Sequence, residues 1–196
     1  VSEAGQALLT RCVEVLQRNG FSQLSLRELA AAVGTSHRML IYHFGSWEGL
    51  LAQVVARVEA EQREALASLA AHESDLAEVG RLFWQRVSDP ALAPAERLFF
   101  EIYAQALYGR DWTHEFRRSV ITAWEAPVSE LLQRNGFSAA DARRRTRLGI
   151  AATRGLLLDL LLTGDREVLN DAAELLGEIL PAKPPKAGRA KSASAK

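Results

Sequence analysis

Lysine is missing from the first 180 residues: all four, Lys183, Lys186, Lys191 and Lys196, lie beyond Leu180. The formal net charge of zero, from 24 basic and 24 acidic side chains, therefore hides an asymmetry. Residues 1–180 carry 19 Arg against the 24 acids, a balance of minus five, while residues 181–196 add five positive charges and no acid. That tail, PAKPPKAGRAKSASAK, has no large apolar residue and cannot offset the entropy of ordering, so a disordered, solvated terminus is expected. The other reading is a flexible basic arm that adds non-specific phosphate contacts.

Cysteine is nearly absent as well. The single Cys12 excludes an internal disulfide, and its place on an apolar face with Leu9, Val13 and Leu16 predicts a buried structural thiol. Strand-forming runs of Val, Ile and Thr are missing while Ala, Leu and Arg abound, which predicts an all-α protein of one or two domains. No uncharged apolar run is long enough to span a membrane and no signal peptide is visible, so a cytoplasmic protein with no membrane partner is expected. There is no H-E-x-x-H, no Cys/His metal spacing and no phosphate-cradling Gly loop. An enzyme is not expected, nor a catalytic residue, metal or cofactor. His72-Glu73 and His114-Glu115 are isolated pairs that read as surface.

What is present is concentrated in Ser25 to Leu51, SLRELAAAVGTSHRMLIYHFGSWEGLL. Ser25 and Glu28 stand at the spacing of a capping box, Leu26, Leu29, Ala30 and Val33 recur at helical spacing, and Gly34 ends the run. Ser36 caps a second segment and Ser46 a third. Two helices on a short turn containing Gly form the geometry that presents a helix to a DNA major groove. Start and stop signals predict about nine helices, near 3–19, 26–33, 36–43, 47–71, 75–88, 94–109, 113–135, 138–164 and 165–180. Thr113 and Asp165 are expected caps, Ser138 and Asp141 another capping box, and Pro127 is expected to kink or split the seventh helix. The heptapeptide LQRNGFS occurs at 16–22 and at 132–138. Each copy reads as a helix stop, with Phe folding back past the Gly onto the last turn.

The segment, with the preceding LLTRCVEVLQRNGF, resembles the amino-terminal domain of the TetR (tetracycline-repressor) family of bacterial transcriptional regulators. Asn19-Gly20-Phe21, Ser25-Leu26-Arg27-Glu28-Leu29-Ala30, Gly34, Ser36, Tyr42-His43-Phe44, Glu48, Leu50 and Leu51 carry the likeness over about residues 5–55. Beyond them only the helical layout is similar. The resemblance implies a three-helix DNA-binding domain at 1–46 with its helix-turn-helix at about 25–44. A helical effector-binding and dimerisation domain at 47–180 and the tail at 181–196 complete the chain. It also implies that the helix from Ser36 to His43 reads DNA, with Thr35, Ser36, His37 and Arg38 toward base edges and Arg27 able to join them. Ser25 and His43 match phosphate contacts, Tyr42 belongs to the same signature, and the helix opened by Ser46 offers free N–H groups to another phosphate. Where many members carry Thr, Tyr and Lys, this chain has Met39, Ile41 and Trp47, so its phosphate grip is expected to be unusual. Trp47 can still donate its indole N–H or stack on sugar. For Met39 and Ile41, core and surface readings stand level, whereas Leu40 and Phe44 are expected in the core.

Nine aromatic rings fall between Phe83 and Trp124. Some must be core, yet the family implies an effector pocket there, enclosed by the fifth to eighth helices. Trp84, Phe100, Tyr103, Phe116 and Trp124 are the expected ligand-contacting residues, for a small, largely apolar effector. Glu101, Gln105, His114, Arg117 and Thr122 are weaker polar candidates, each read first as surface. The run Arg143-Arg144-Arg145-Thr146-Arg147 reads as a solvated face or interface rim. Segments 141–163 and 166–180 are apolar on more than one side, including Leu148, Leu156, Leu157, Leu160, Leu161, Val168, Leu169, Leu175, Leu176 and Ile179. In the family these two helices form a homodimer interface. The expected function is a homodimeric repressor, nucleoid-associated when bound to a double-stranded operator and released by its effector. The alternative is a helical sequestering or interaction protein with weakened DNA binding.

Overall fold

The computed structural model describes residues 2–20 and 24–180. The tail at 181–196 and Phe21, expected to fold back on the first helix, lie outside the described residues. Among these residues there are nine α-helices, two 3-10 turns and no strand: α1 Glu3–Asn19, α2 Leu26–Ala32, α3 His37–Phe44, α4 Trp47–His72, α5 Leu76–Val87, α6 Ala93–Leu107, α7 His114–Arg134, α8 Ala139–Thr163 and α9 Arg166–Ile179. The all-α architecture and the helix limits agree with the sequence expectation to within a residue or two.

Short-range capping explains that agreement. Side chains of Ser2, Ser25, Ser36, Ser46, Asp75, Ser138 and Asp165 accept from the first free backbone N–H groups of their helices. At Ser25 the box closes both ways, and the hydroxyl and N–H of Ser25 hold the Glu28 carboxyl below the usual carboxylate range. Two expectations need correction. Thr113 lies at the start of α7 but does not cap it; its buried hydroxyl donates back to the Arg110 carbonyl at 2.6 Å. The helix α7 is not split at Pro127 but runs unbroken from His114 to Arg134. Of the two LQRNGFS copies, the second ends in a Schellman turn, with Phe137 N–H donating to Leu132 O and Gly136 N–H to Gln133 O. Phe137 is buried there.

One apolar core joins α1 (Leu8, Leu9, Cys12, Val13, Leu16), α2 and α3 (Leu29, Ala30, Leu40, Phe44), α4 (Leu50, Leu51, Val54, Val55, Val58) and α6 (Ala95, Leu98, Phe99, Ile102). It crosses residue 46 without a break, so the amino-terminal helices are packed directly on the body. Burial pushes the Cys12 thiol up to about 11, which keeps it protonated, as suits a structural residue. A smaller cluster ties α5 to α8 and α9 through Trp84, Val87, Leu157, Leu160 and Leu169. Within it Trp84 Nε1 donates to Asn170 Oδ1 at 2.9 Å.

Candidate nucleic-acid interface and buried cavity

The α2 helix stops in a Schellman turn: Thr35 N–H donates to Ala30 O, Gly34 N–H to Ala31 O, and Gly34 takes φ +70°, a conformation that glycine adopts without strain. Ser36 then opens α3 by accepting from Met39 N–H at 3.3 Å. Leu40 and Phe44 anchor α3 in the core, as expected, and the rest of the helix is turned outward. Ser36, His37, Arg38 and Tyr42 are exposed and Thr35 and His43 half-buried. Ser25 and Arg27 are exposed at the start of α2. Met39 and Ile41 are also exposed, at 42% and 38%, which decides their even reading for the surface. Tyr42 and His43 meet edge to face with ring centroids 5.1 Å apart. Ser46 caps α4 through Gly49 N–H at 2.9 Å, and Trp47 is half-buried against the core. The expected DNA-contacting residues thus gather at three serine-capped helix starts, except Tyr42 and His43 in the last turn of α3, and none is fully buried.

A cavity of about 200 Å³ lies in the body. Its walls come from α4 (Glu59, Gln62, Leu66), α5 (Gly80, Phe83, Val87), α6 (Glu96, Phe99), α7 (Trp124, Val128) and α8 (Arg145, Thr146, Gly149, Ile150, Thr153, Arg154, Leu157). Of the five expected ligand residues, Trp124 lines this cavity and Trp84 lines a neighbouring groove between α5 and α9. Phe100, Tyr103 and Phe116 line neither. They form a ring cluster behind the wall, where Phe99 packs on all three with centroids 5.1, 5.6 and 5.8 Å away. Glu101, Gln105, His114, Arg117 and Thr122 also lie outside both cavities.

The polar wall was missed by sequence reasoning. Glu59 Oε2 accepts from Trp124 Nε1 at 2.7 Å and stands 3.6 Å from Arg154 Nη2 and 3.7 Å from Arg63 Nη1. Arg154 Nη2 also donates to Val120 O at 2.7 Å, and its guanidinium lies over the Phe99 ring at 5.1 Å. Gln62 Nε2 donates to Glu96 Oε1 at 2.8 Å. Burial outweighs pairing throughout: it raises the Glu59 carboxyl and lowers the Arg154 guanidinium despite the opposite charge beside each. At Glu96, burial and the nearby Glu59 charge push the carboxyl up to about 7. The arginine run also divides. Arg143, Arg144 and Arg147 are exposed as expected, but Arg145 is half-buried and Thr146 fully buried, and both face the cavity.

Opposite the cavity, α8 turns Leu148, Ala151, Gly155, Leu158 and Leu162 outward at alternating three- and four-residue steps. Val168 and Leu175 of α9 are exposed beside them. This spacing is that of a helix-packing seam. Among the described residues no helix is long and apolar enough to cross a membrane, and no cluster of His, Cys, Asp or Glu could hold a metal ion.

Residues 8–54 match the family model described as bacterial regulatory proteins, tetR family. No curated protein matches the chain. Among solved structures, a TetR-family transcriptional regulator from Pectobacterium atrosepticum is 20% identical, with 91% of this chain and 92% of that one covered and a TM-score of 0.68. The multidrug binding protein EbrR, complexed with imidazole, is 22% identical over 95% and 94% of the two chains, with a TM-score of 0.69. The regulator FadR from Bacillus subtilis, in complex with stearoyl-CoA, is 16% identical over 89% and 96%, with a TM-score of 0.62. At these identities the likeness is one of fold.

Proposed function

We propose that this chain, whose amino-terminal helices match the tetR family of bacterial regulatory proteins over residues 8–54, is a DNA-binding regulator of that kind, a homodimeric repressor released from its operator by a small ligand in the body cavity. The head at 1–46 holds DNA, and the body at 47–180 senses and dimerises. The observation that carries this reading is the continuity of α4. Leu50, Leu51, Val54 and Val55 pack in the core beneath the head, and Glu59, Gln62 and Leu66 of the same helix wall the cavity. A helix of 26 residues spans about 39 Å, so a ligand that displaces its middle also tilts its start. Such a ligand shifts the equilibrium only by preferring one arrangement of the two heads. Ligands bound by relatives of the same fold, a drug-binding protein and a regulator holding an acyl-CoA, support a sensing role for the body.

The test is footprinting on the DNA upstream of the chain's own gene. Arg38, exposed in the first turn of α3, is suited to a bidentate guanine contact, whose loss costs about 1–3 kcal/mol, or roughly 5- to 150-fold in affinity. Arg38→Ala is expected to weaken the footprint within that range, and an unchanged affinity would refute the assignment. The second arm concerns assembly. Leu158→Arg places a charge in the α8 seam and is expected to turn a dimer into a monomer in sedimentation velocity. A dimer that persists in this variant contradicts the seam. Operator affinity of the monomer is expected to fall with it, because each half-site is then held alone.

A further inference from the structure

Four buried side-chain polar atoms have no hydrogen-bond partner among the described residues, and three of them belong to side chains lining the one cavity: Arg145 Nε, Thr146 Oγ1 and Arg154 Nη1. Buried polar groups in folded proteins are nearly always paired, so three orphans around one space point to a missing partner. The two guanidinium nitrogens can only donate. The acids of the wall, by contrast, are engaged: Glu59 by Trp124, Arg154 and Arg63, and Glu96 by Gln62. Arg145 has no ion pair among the described residues; its charge rests over the Phe137 ring at 4.7 Å. Counting Arg63, Arg145 and Arg154 against Glu59 and Glu96, the surroundings are positive even with both acids ionised.

We propose that the cavity takes an amphiphilic monocarboxylate, whose carboxylate is held by Arg145 and Thr146 and whose apolar part lies against Phe83, Phe99 and Trp124. This rests on the reading of the cavity as the ligand site. Arg145 and Thr146 both line the cavity, and because each orphan atom is itself covered, a small rotation of the two side chains accompanies a carboxylate that accepts from the Arg145 Nε–H and the Thr146 hydroxyl. Gly149, one turn further on, presents no side chain, and a Cβ built there meets nothing within 4 Å, which leaves room above the helix for the ligand. The volume sets a lower bound on the ligand, since the neighbouring groove shares Arg145, Gly149 and Thr153 with the cavity. An apolar hole of about 150 Å³ holds one benzene ring, so 200 Å³ holds a ring with a short acid-bearing chain.

The experiment is calorimetric titration of the full chain with 4-phenylbutyrate, 4-phenylbutanol and 4-phenylbutylammonium, equal in shape and different in charge. The acid is expected to bind about tenfold or more tighter than the alcohol, and the ammonium weakest. Arg145→Met keeps an unbranched stem but loses the charge, and should bring the acid down to the alcohol. Gly149→Leu fills the space above the helix and should abolish binding of all three, while circular dichroism shows the fold intact. Tightest binding by the ammonium, equal binding of acid and alcohol, an Arg145→Met that keeps the preference, or no binding of any probe overturns the proposal. Operator footprints are taken in parallel. If the acid binds through Arg145 and leaves the footprint unchanged, the carboxylate site stands and release by ligand fails. If nothing binds while the operator is still protected, the carboxylate site fails and the DNA-binding reading stands.

Discussion

Glu59→Ala is expected to destabilise the body by about 3–5 kcal/mol, because it strips a buried cation of its counterion. Arg154 has only 16% of its side chain exposed, and Glu59 Oε2 at 3.6 Å is its one ion-pair partner among the described residues. The same substitution orphans the indole N–H of Trp124, which now donates to Glu59 at 2.7 Å. Glu96 limits the damage. Its carboxyl is pushed up to about 7 partly by the charge of Glu59, so removing Glu59 lets Glu96 ionise and face Arg154 in its place. The loss should therefore lie toward the lower end. Urea unfolding at one fixed protein concentration measures it, since a dimer's stability depends on concentration. The double variant Glu59→Leu with Arg154→Met removes both charges and should recover most of the loss. A cost below about 1 kcal/mol for Glu59→Ala would mean that water already reaches Arg154.

The neighbouring acid should respond in the opposite direction. The folded state holds the Glu96 proton up to about pH 7, whereas the unfolded chain releases it near the ordinary value of 4.5. Between those limits the folded state binds more protons, so stability from this group is full below the lower limit and is lost as pH rises through the upper one. Glu96→Gln keeps an acceptor for Gln62 and has nothing to ionise. It is expected to exceed the parent by on the order of 2–3 kcal/mol at about pH 8 and to match it at about pH 4. Parallel stability profiles across that range would show that Glu96 is hydrated.

The contrast between these acids and the helix limits shows what local sequence carries. Ser25, Ser36, Ser46 and Ser138 bond to groups three residues away, so their roles are written within one turn. Glu59 stands among Arg57, Glu61, Arg63 and Glu64 in the charged middle of α4. Only the packing of α6, α7 and α8 distinguishes Glu59 from Glu61, which pairs with Arg57 in the open at 2.7 Å. The same holds for Arg145 beside Arg144, and for Phe99 beside Phe100. In both pairs adjacent residues differ by about 100° of helix rotation, and one of the two faces the cavity. The aromatic content of α5 to α7 drew attention to the body, but an aromatic count has no phase. Pro127 does not split α7: its missing N–H costs a helix one bond, and the helix continues through it.

Gly49→Ala should sever the head from its aim without unfolding the body. A Cβ built on Gly49 meets the carbonyl oxygen of Phe44 closer than real side chains ever approach a neighbour. The obstacle is backbone. Phe44 closes α3, its side chain is buried, and Gly45 turns the chain at φ +80° into the Ser46 cap. Neither partner can yield by a rotamer change, so the end of α3 and the start of α4 must move apart. Overpacking of this kind costs about 1–3 kcal/mol, and occasionally more, in well-packed cores. The functional effect is expected to be larger than the loss of stability, because α3 carries His37, Arg38 and Tyr42 and the same displacement re-aims all of them. Operator affinity should fall by more than it does in Arg38→Ala, while the proposed α8 dimer contact and the proposed ligand site are left unchanged. Gly34→Ala is the informative comparison. There φ is +70° but nothing lies within 4 Å of the added Cβ, so the cost is backbone strain of about 1 kcal/mol and no helix is displaced. If Gly49→Ala bound the operator as the parent does, the α3–α4 junction would have slack that this close approach does not allow, and the orientation of α3 would have to be set by the core contacts of Leu40 and Phe44 alone.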